Sequence, residues 1–263
     1  MPWADANGVS LRYELSGDGP TVVLFHELGG CAESWSSVVA HLSPRFRTLT
    51  YDHRGAGLSE KIRDPFTFET LIDDFDALAA TLRIEPPFHL VGIAAGAAQA
   101  LLAADRYPDR VRSLVLCNPA VTTNAQRTAY LDMRAAAAEQ QGMRAVIALT
   151  LDRSFPPETA GDLTAYARYR ALYLANDAHC FALTSSALAR NTAAHVLERI
   201  RCKTLVLAGR DDAVRPFAES VALAQKIVGA QCEVIDGGHF MHVAAPQAIL
   251  APLDAFLARV ATI

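Results

Sequence analysis

Short apolar runs alternate with longer segments of helical periodicity along most of this chain. The short runs are rich in β-branched residues and predict strands at 9–15, 21–25, 47–51, 88–91, 112–117, 204–208 and 232–235. Most of these runs are continuously apolar, which is typical of strands covered on both faces. The segments between them carry apolar residues at helical spacing and predict helices at 32–42, 68–82, 95–107, 218–228 and 246–260. The sequence therefore predicts an α/β fold, with a mostly parallel sheet and helices on both faces.

Residues 121–200 break this alternation, because they contain no convincing strand pattern. Their Ala-rich and Arg-rich stretches predict several helices, at 127–140, 143–151, 163–174 and 182–197. The region lies between two predicted strands, so we expect it to cover the carboxyl ends of the sheet, where ligands of open α/β folds bind. We therefore predict a core domain of residues 1–120 and 201–263 that carries a helical cap, or lid, of residues 121–200.

The composition of the 263 residues removes several classes of protein. With 51% apolar residues, 20% charged residues and a net charge of −4, the chain is neither disordered nor a nucleic-acid binder held by bulk charge. We expect no membrane-spanning helix, since every apolar run is far shorter than about 20 residues. The polar amino terminus lacks the features of a secretory signal, so we expect a cytoplasmic protein. The five scattered cysteines argue against a disulfide framework or a zinc site.

A glycine-rich turn with the sequence Gly-Ile-Ala-Ala-Gly follows the strand predicted at 88–91. Small residues at Gly92 and Gly96 allow a strand to turn sharply into a helix, which holds the central residue, Ala94, pointing out of the sheet. This is the geometry of a nucleophile elbow, Gly-x-Ser-x-Gly, with alanine in place of serine. Taken alone, the pattern is more typical of an ordinary strand-to-helix turn.

Three further motifs follow predicted strands. The sequence His-Glu-Leu-Gly-Gly at 26–30 follows the second strand, where enzymes of this architecture place backbone N–H groups facing the elbow. Asp211 and Asp212 follow the strand at 204–208, and His239 follows the strand at 232–235. The order of elbow, acid and histidine, each at the carboxyl end of a strand, indicates one catalytic edge of the sheet.

With these motifs the chain resembles the α/β-hydrolases, and within them the branch of 3-oxoadipate enol-lactonases, small-molecule esterases and C–C hydrolases. The resemblance covers almost the whole chain and is carried by residues 26–30, 51–59, 92–96, 114–119, 205–212 and 238–242. It implies that His239 is the general base, that Asp212 orients it, and that Ala94 occupies the nucleophile position. It also implies an oxyanion hole formed by the N–H groups of Leu28 and Ala95. No cofactor or metal is expected, since neither a dinucleotide fingerprint nor a phosphate loop is present.

Two residues depart from the family pattern. Ala94 has no hydroxyl, so no acyl-enzyme can form there. This alanine is either an engineered replacement of serine or natural to a relative that binds a ligand or works without a covalent step. Glu27 stands where the family usually has glycine, which places a carboxylate beside the oxyanion hole and makes it a candidate substrate-binding residue. Alternatively, Glu27 points to solvent or pairs with an arginine.

Several other residues have two interpretations. Cys31 is a conceivable replacement nucleophile, but nothing positions it opposite His239, so a buried structural role is favoured. His242 follows His239 at a spacing that suggests a metal pair, but no third ligand is nearby in sequence, and a structural role is again favoured. Asp52 and Arg54 are interpreted as a structural ion pair or a turn cap.

The predicted function is hydrolysis of a small organic acid, ester or lactone, with serine-based chemistry in the serine-bearing parent and defective nucleophilic catalysis in this Ala94 form. The alternatives are a lyase or cofactor-free oxygenase that uses the His239 and Asp212 pair as base, and a silent binding protein. Arg127, Arg134 and Arg153 are candidate partners for a substrate carboxylate. The expected partner is a small molecule, with no nucleic acid and no membrane, and the expected state is a monomer or a homodimer.

Overall fold

A computed structural model describes residues 2–156 and 163–261 of the chain. In this part eight strands form one sheet in the order β1-β2-β4-β3-β5-β6-β7-β8. The strands are β1 (Trp3–Ala6), β2 (Val9–Ser16), β3 (Thr21–Phe25), β4 (Arg47–Tyr51), β5 (Phe88–Ile93), β6 (Val111–Cys117), β7 (Lys203–Gly209) and β8 (Gln231–Ile235). The β1/β2 and β2/β4 pairs are antiparallel, and every pair from β4 to β8 is parallel. The predicted fold class is therefore confirmed.

The helices follow the predicted alternation. They are α1 (Ser36–Leu42), α2 (Phe68–Thr81), α3 (Ala95–Arg106), α4 (Ala125–Gln141), α5 (Met143–Val146), α6 (Asp152–Ser154), α7 (Leu163–Leu174), α8 (Ala178–Arg190), α9 (Phe217–Ala224), α10 (Met241–Ala244) and α11 (Pro246–Ala261). Short 3₁₀ turns add Ala32–Trp35, Pro108–Arg110 and Ala193–Arg199, and a π-helical turn, Ile147–Leu151, joins α5 to α6. Among the helices described, none combines the length and the apolar character that crossing a bilayer requires.

Strand β1 was missed by the sequence analysis. It pairs with β2 from Trp3 opposite Arg12 to Ala6 opposite Val9, so that only Asn7 and Gly8 form the loop. Both loop residues have positive φ, 49° at Asn7 and 75° at Gly8. An Asn-Gly pair is the preferred sequence for such a two-residue hairpin, so the signal was present in the sequence.

Helices cover both faces of the sheet. Helices α2, α3 and α9 bury one face around residues such as Phe25, Phe75 and Leu101. Helices α1 and α11 bury the other face around residues such as Trp35 and Phe256. The parallel strands in the middle are therefore apolar on both sides, which explains their continuous apolar runs.

The helices α4 to α8 lie in sequence between β6 and β7, where helices without strands were predicted. Helix α4 packs against α8, and the Ser185 hydroxyl donates a hydrogen bond of 2.9 Å to the Leu131 carbonyl oxygen between them. Side chains of this α4–α8 segment line a cavity together with residues that follow the carboxyl ends of β3, β5, β7 and β8.

Candidate active site

Ala94 forms the turn between β5 and α3 and has φ 49° and ψ −112°. Such a backbone conformation is costly for a residue other than glycine, by about 1–3 kcal/mol. Two glycines make the tight turn possible. A Cβ on Gly92 would lie 2.3 Å from the Gly96 carbonyl oxygen, and a Cβ on Gly96 would lie 2.2 Å from the Phe25 carbonyl oxygen. The turn therefore has the backbone geometry of an elbow although its central side chain is a methyl group.

His239 is hydrogen-bonded to Asp212, with 2.7 Å between Nδ1 and Oδ2. The other carboxylate oxygen, Oδ1, accepts the backbone N–H groups of Val214 and Arg215, each at 2.7 Å. These bonds fix the Asp212 side chain, and the bond to Nδ1 leaves Nε2 of His239 for the cavity. Asp211 is exposed, and Asp212 is the neighbour that reaches the histidine.

Asn118 holds the loop that carries His239 through side-chain hydrogen bonds. It was not predicted as a site residue from sequence. Its side-chain amide donates hydrogen bonds of 3.0 Å to the carbonyl oxygens of Gly238 and His239. Its Oδ1 accepts the Gly209 N–H at 2.7 Å. Because Asn118 follows β6, one buried side chain connects the ends of three neighbouring strands. Its place at a strand end was the available signal, but its partners lie far away in sequence.

The backbone N–H groups of Leu28 and Ala95 are the expected donors of an oxyanion hole. Leu28 follows β3 and Ala95 is the first residue of α3, and both residues line the same cavity as Ala94 and His239. Within residues 2–156 and 163–261, neither N–H is consumed by a hydrogen bond to another residue. Two unused donors beside an elbow are what the stabilisation of an oxyanion requires.

The cavity at this edge has a volume of about 480 Å³ and lies between the α4–α8 segment and the sheet. Its lining includes Leu28, Ala94, Ala95, His239 and Phe240 from the sheet side, and Tyr130, Leu131, Thr150 and Leu188 from the helices. It also includes four arginines, the three expected ones (Arg127, Arg134 and Arg153) and Arg215. Such a volume suits a small organic molecule.

The arginines differ in how their charge is balanced. Arg127 lies 2.5 Å from Glu219, and Arg153 is exposed and lies over the Tyr130 ring. Arg134 is buried between the Tyr130 and Phe181 rings, and its guanidinium contacts the Ser185 hydroxyl at 3.3 Å. In the described part of the chain no carboxylate forms an ion pair with Arg134. Burial lowers the pKa of this guanidinium, which marks a cation that is poorly compensated.

Arg215 is a cavity residue that the sequence analysis missed. It is buried, and it donates a hydrogen bond of 2.8 Å to the Thr122 carbonyl oxygen. Burial, together with the nearby charge of Arg127, lowers its pKa to about 10. Its position three residues after Asp212, in the same loop, was the available sequence signal.

Glu27, a candidate substrate-binding residue from sequence, does not line the large cavity. Its side chain is fully buried. Its carboxylate contacts the Tyr169 hydroxyl and lies 2.9 Å from Nε2 of His242. Glu27 therefore neither points to solvent nor pairs with an arginine. The same contact directs the His242 ring to Glu27, so His242 and His239 do not form a metal pair.

Cys31 lies outside the cavity lining, and burial raises the pKa of its thiol, which disfavours the thiolate that a nucleophile needs. Cys31, Glu33 and Asp52 lie close enough together to hold a metal ion. The Arg12 guanidinium already supplies a positive charge there, 2.7 Å from Glu33 and 3.4 Å from Asp52. A second cation at this position would be repelled.

Asp52 and Arg54 do not form an ion pair with each other, and the alternative expectation of a turn cap is the one that fits Asp52. Arg54 forms its ion pair with Asp74, with 2.6 Å between Nε and Oδ2. Asp52 accepts backbone N–H groups from Ala32 and Leu58, each at 2.7 Å. Both residues are thus structural, but each is part of a separate network.

The chain matches a family model described as alpha/beta hydrolase fold over residues 20–246. It is 31% identical to RutD of Caulobacter sp. (strain K31), which carries the name of a carbamate hydrolase, over 94% of this chain and 95% of that protein. It is 27% identical to 3-oxoadipate enol-lactonase 2 of Acinetobacter baylyi, over 97% of this chain and 95% of that protein. The crystal structure of the enol-lactonase from Burkholderia xenovorans LB400 superimposes with a TM-score of 0.92 and 29% identity, over 98% of this chain and 100% of that one. The chain belongs to the alpha/beta hydrolase fold family.

Proposed function

We propose that this protein hydrolyses a small carboxylated ester, lactone or related acyl compound, with His239 activating a water molecule directly. The single observation that carries the proposal is an oriented histidine base beside an elbow that has no nucleophile: the Asp212 to His239 bond of 2.7 Å is present while residue 94 is alanine. The acyl-enzyme route is closed, but general-base catalysis needs only the histidine.

The proposed reaction has two proton transfers. Nε2 of His239 takes a proton from water, and the resulting hydroxide adds to the carbonyl carbon of the substrate. The N–H groups of Leu28 and Ala95 stabilise the oxyanion of the tetrahedral intermediate. The intermediate then collapses, the bond from the carbonyl carbon to the leaving oxygen breaks, and the His239 imidazolium returns its proton to that oxygen. Asp212 stabilises the imidazolium throughout.

The carboxylate of the substrate is assigned to Arg134. Among the residues that the structure describes, no carboxylate pairs with this guanidinium, which is buried among Tyr130, Phe181 and Ser185, and a substrate carboxylate would supply the missing charge. Arg127 and Arg153 are weaker candidates than Arg134. Glu219 already balances the charge of Arg127, and Arg153 is exposed to water. We propose further that residues 121–200 act as the cap and contribute this recognition, while the core contributes the reacting groups.

The substrate class is also supported by the names of the relatives, which are an enol-lactonase and a carbamate hydrolase. In both classes the reacting group is an acyl carbon, as the histidine, the water and the two N–H donors require. Serine-bearing relatives of this chain would reach the same products through an acyl-enzyme.

A second candidate is proton abstraction without hydrolysis, as in a lyase or a cofactor-free oxygenase. Ala94 favours it, because His239 then faces the substrate without a serine in between. The same two N–H groups would stabilise an enolate oxygen in place of a tetrahedral oxyanion.

The experiment compares three proteins, the unaltered chain, Ala94→Ser and His239→Ala, on a panel of carboxylated lactones and esters and their uncharged counterparts. We expect the unaltered chain to hydrolyse a carboxylated member, and His239→Ala to lose about 10²–10⁴-fold in kcat/KM. We expect Ala94→Ser to show a burst phase and a mass increase equal to one acyl group. His195→Ala serves as the matched control, because this exposed histidine lies outside the active-site cavity.

Three outcomes would change the conclusion. If the unaltered chain consumes a panel member without forming the hydrolysis products, and loses this activity in His239→Ala, the proton-abstraction reaction replaces hydrolysis. If all proteins are inert but bind panel members, the chain is a binding protein. If hydrolysis persists in His239→Ala, the assigned base is wrong.

A further inference from the structure

Glu27 has a buried carboxylate that the proposed reaction does not use. Its side chain is fully buried, as is that of its partner His242. Removing a carboxylate from water is costly, so a charge in this position needs partners that compensate it. The partners come from two different parts of the molecule, and both lie close to catalytic elements.

The first partner is Tyr169 on α7, whose hydroxyl donates a hydrogen bond to Oε1 of Glu27. The same helix makes a second contact one turn later, where the Tyr173 ring occupies the space that a Cβ on Gly29 would fill, 2.3 Å away. Just beyond the helix, the Asn176 side-chain amide donates a hydrogen bond of 2.9 Å to the Gly29 carbonyl oxygen. Helix α7 and the residues after it therefore contact the turn on both sides of Leu28.

The second partner is His242 on α10, whose Nε2 lies 2.9 Å from Oε2 of Glu27. This contact has poor hydrogen-bond geometry, since neither atom meets the angular requirement of a hydrogen bond. The His242 ring is held by the Trp35 ring, 4.7 Å away between centroids. Since α10 follows His239 directly, the Glu27 carboxylate connects α7 to the loop of the catalytic base.

The turn closes around this carboxylate. The Gly30 N–H donates to the Glu27 carbonyl oxygen at 3.0 Å, and a Cβ on Gly30 would lie 2.2 Å from Oε1 of Glu27. The position of Leu28 between these two residues is therefore set by where the carboxylate is held. A glycine at position 27 would leave this space empty and would remove the contacts that the carboxylate makes with Tyr169 and His242.

We propose that Glu27 and Tyr169 are positioning residues, which fix the Leu28 N–H in the oxyanion hole and make its position depend on the docking of α7. This inference rests on the proposed function, in which the Leu28 N–H stabilises the oxyanion. Docking of the cap over a substrate and completion of the oxyanion hole then become one event, because the same hydroxyl holds the helix and the turn.

The test uses Tyr169→Phe, which removes one hydroxyl and keeps the ring. The matched control is Tyr166→Phe on the same helix, whose hydroxyl lies 2.7 Å from Asp152 and away from Glu27. Hydrogen exchange of the amides of Leu28, Gly29 and Gly30 is measured in both variants, because this readout requires no substrate. We expect about tenfold faster exchange in Tyr169→Phe, as for loss of one hydrogen bond to a charged group, and no change in Tyr166→Phe.

Kinetics add the second readout on any substrate that the unaltered chain turns over. We expect kcat to fall about tenfold in Tyr169→Phe with KM within about twofold, because an oxyanion contact acts in the transition state. In the double variant with Glu27→Gln, the two effects should not add, since both act through one contact. Unchanged exchange in Tyr169→Phe overturns the proposal. Faster exchange with an unchanged kcat overturns the link to the oxyanion, and a protein without turnover leaves exchange as the deciding measurement.

Discussion

The side-chain amide of Asn118 donates a hydrogen bond of 3.0 Å to the carbonyl oxygen of His239, so the histidine proposed as the base is supported by a strand end distant in sequence. The same amide holds Gly238, and its oxygen accepts the Gly209 N–H. The histidine loop and the end of the acid-bearing strand thus share one buried anchor. Loss of this anchor should disturb both the stability of the fold and the base.

Asn118→Ala removes three side-chain hydrogen bonds, two of them buried, and leaves their backbone partners unsatisfied. We expect the free energy of unfolding to fall by about 2–4 kcal/mol, measured by urea denaturation. Asn118→Gly is the control, because Asn118 has φ 41° and glycine adopts positive φ freely. If Asn118→Gly restores the stability, backbone strain and not the hydrogen bonds accounts for the loss.

Asp212→Asn should lower kcat/KM by about 10³–10⁴, since an amide does not hold the histidine in the tautomer that a base needs. Asp211→Asn is the neighbouring control, and we expect activity within about twofold of the unaltered chain because Asp211 is exposed. Steady-state kinetics of both variants on the same substrate decide the assignment. Equal losses in the two variants would contradict it.

Arg134→Met should separate recognition from stability. A buried cation that no carboxylate of the described residues balances is costly, so an apolar side chain of similar size should leave the free protein as stable or about 1 kcal/mol more stable. Thermal shifts induced by succinate, and by its monomethyl ester, should disappear in this variant. Arg153→Met is the control, since Arg153 is exposed, and it should keep most of the shift. Succinate binding that survives in Arg134→Met would contradict the assigned carboxylate site.

The Glu27 carboxyl should make stability depend on pH below pH 5. Burial alone raises its pKa, but the charge of His242, together with His26 and the Tyr169 hydroxyl, outweighs burial and lowers the pKa from 4.5 to about 2. A carboxyl whose pKa is lower in the folded protein stabilises it above the unfolded value and loses this contribution as the pH falls through the folded value. The stability lost in Glu27→Gln should therefore shrink between about pH 5 and pH 2. Urea midpoints measured at several pH values test this, and a constant difference would show that charge at Glu27 is not involved.

The fold was largely predictable from sequence because its central strands are buried on both faces and therefore continuously apolar. The edge strand β1 was not predicted, because its four residues show little burial and the Asn7-Gly8 turn is the only sequence pattern that indicates it. A role that is set by residues adjacent in sequence could be predicted, as for the small residues that form the turn around Ala94. A role that is set by residues distant in sequence could not be predicted, since no pattern near Glu27 indicates its contacts with Tyr169 and His242.

The backbone of Ala94 keeps the strained elbow conformation, φ 49°, although its methyl group has no nucleophilic atom for the turn to present. The strain is maintained by the packing of Gly92 and Gly96, and so it does not depend on the side chain at the tip of the turn. Every alanine codon, GCN, becomes a serine codon, UCN, when its first base changes. The chain therefore stands a single nucleotide substitution away from a form that carries a hydroxyl on an elbow whose backbone is already in place.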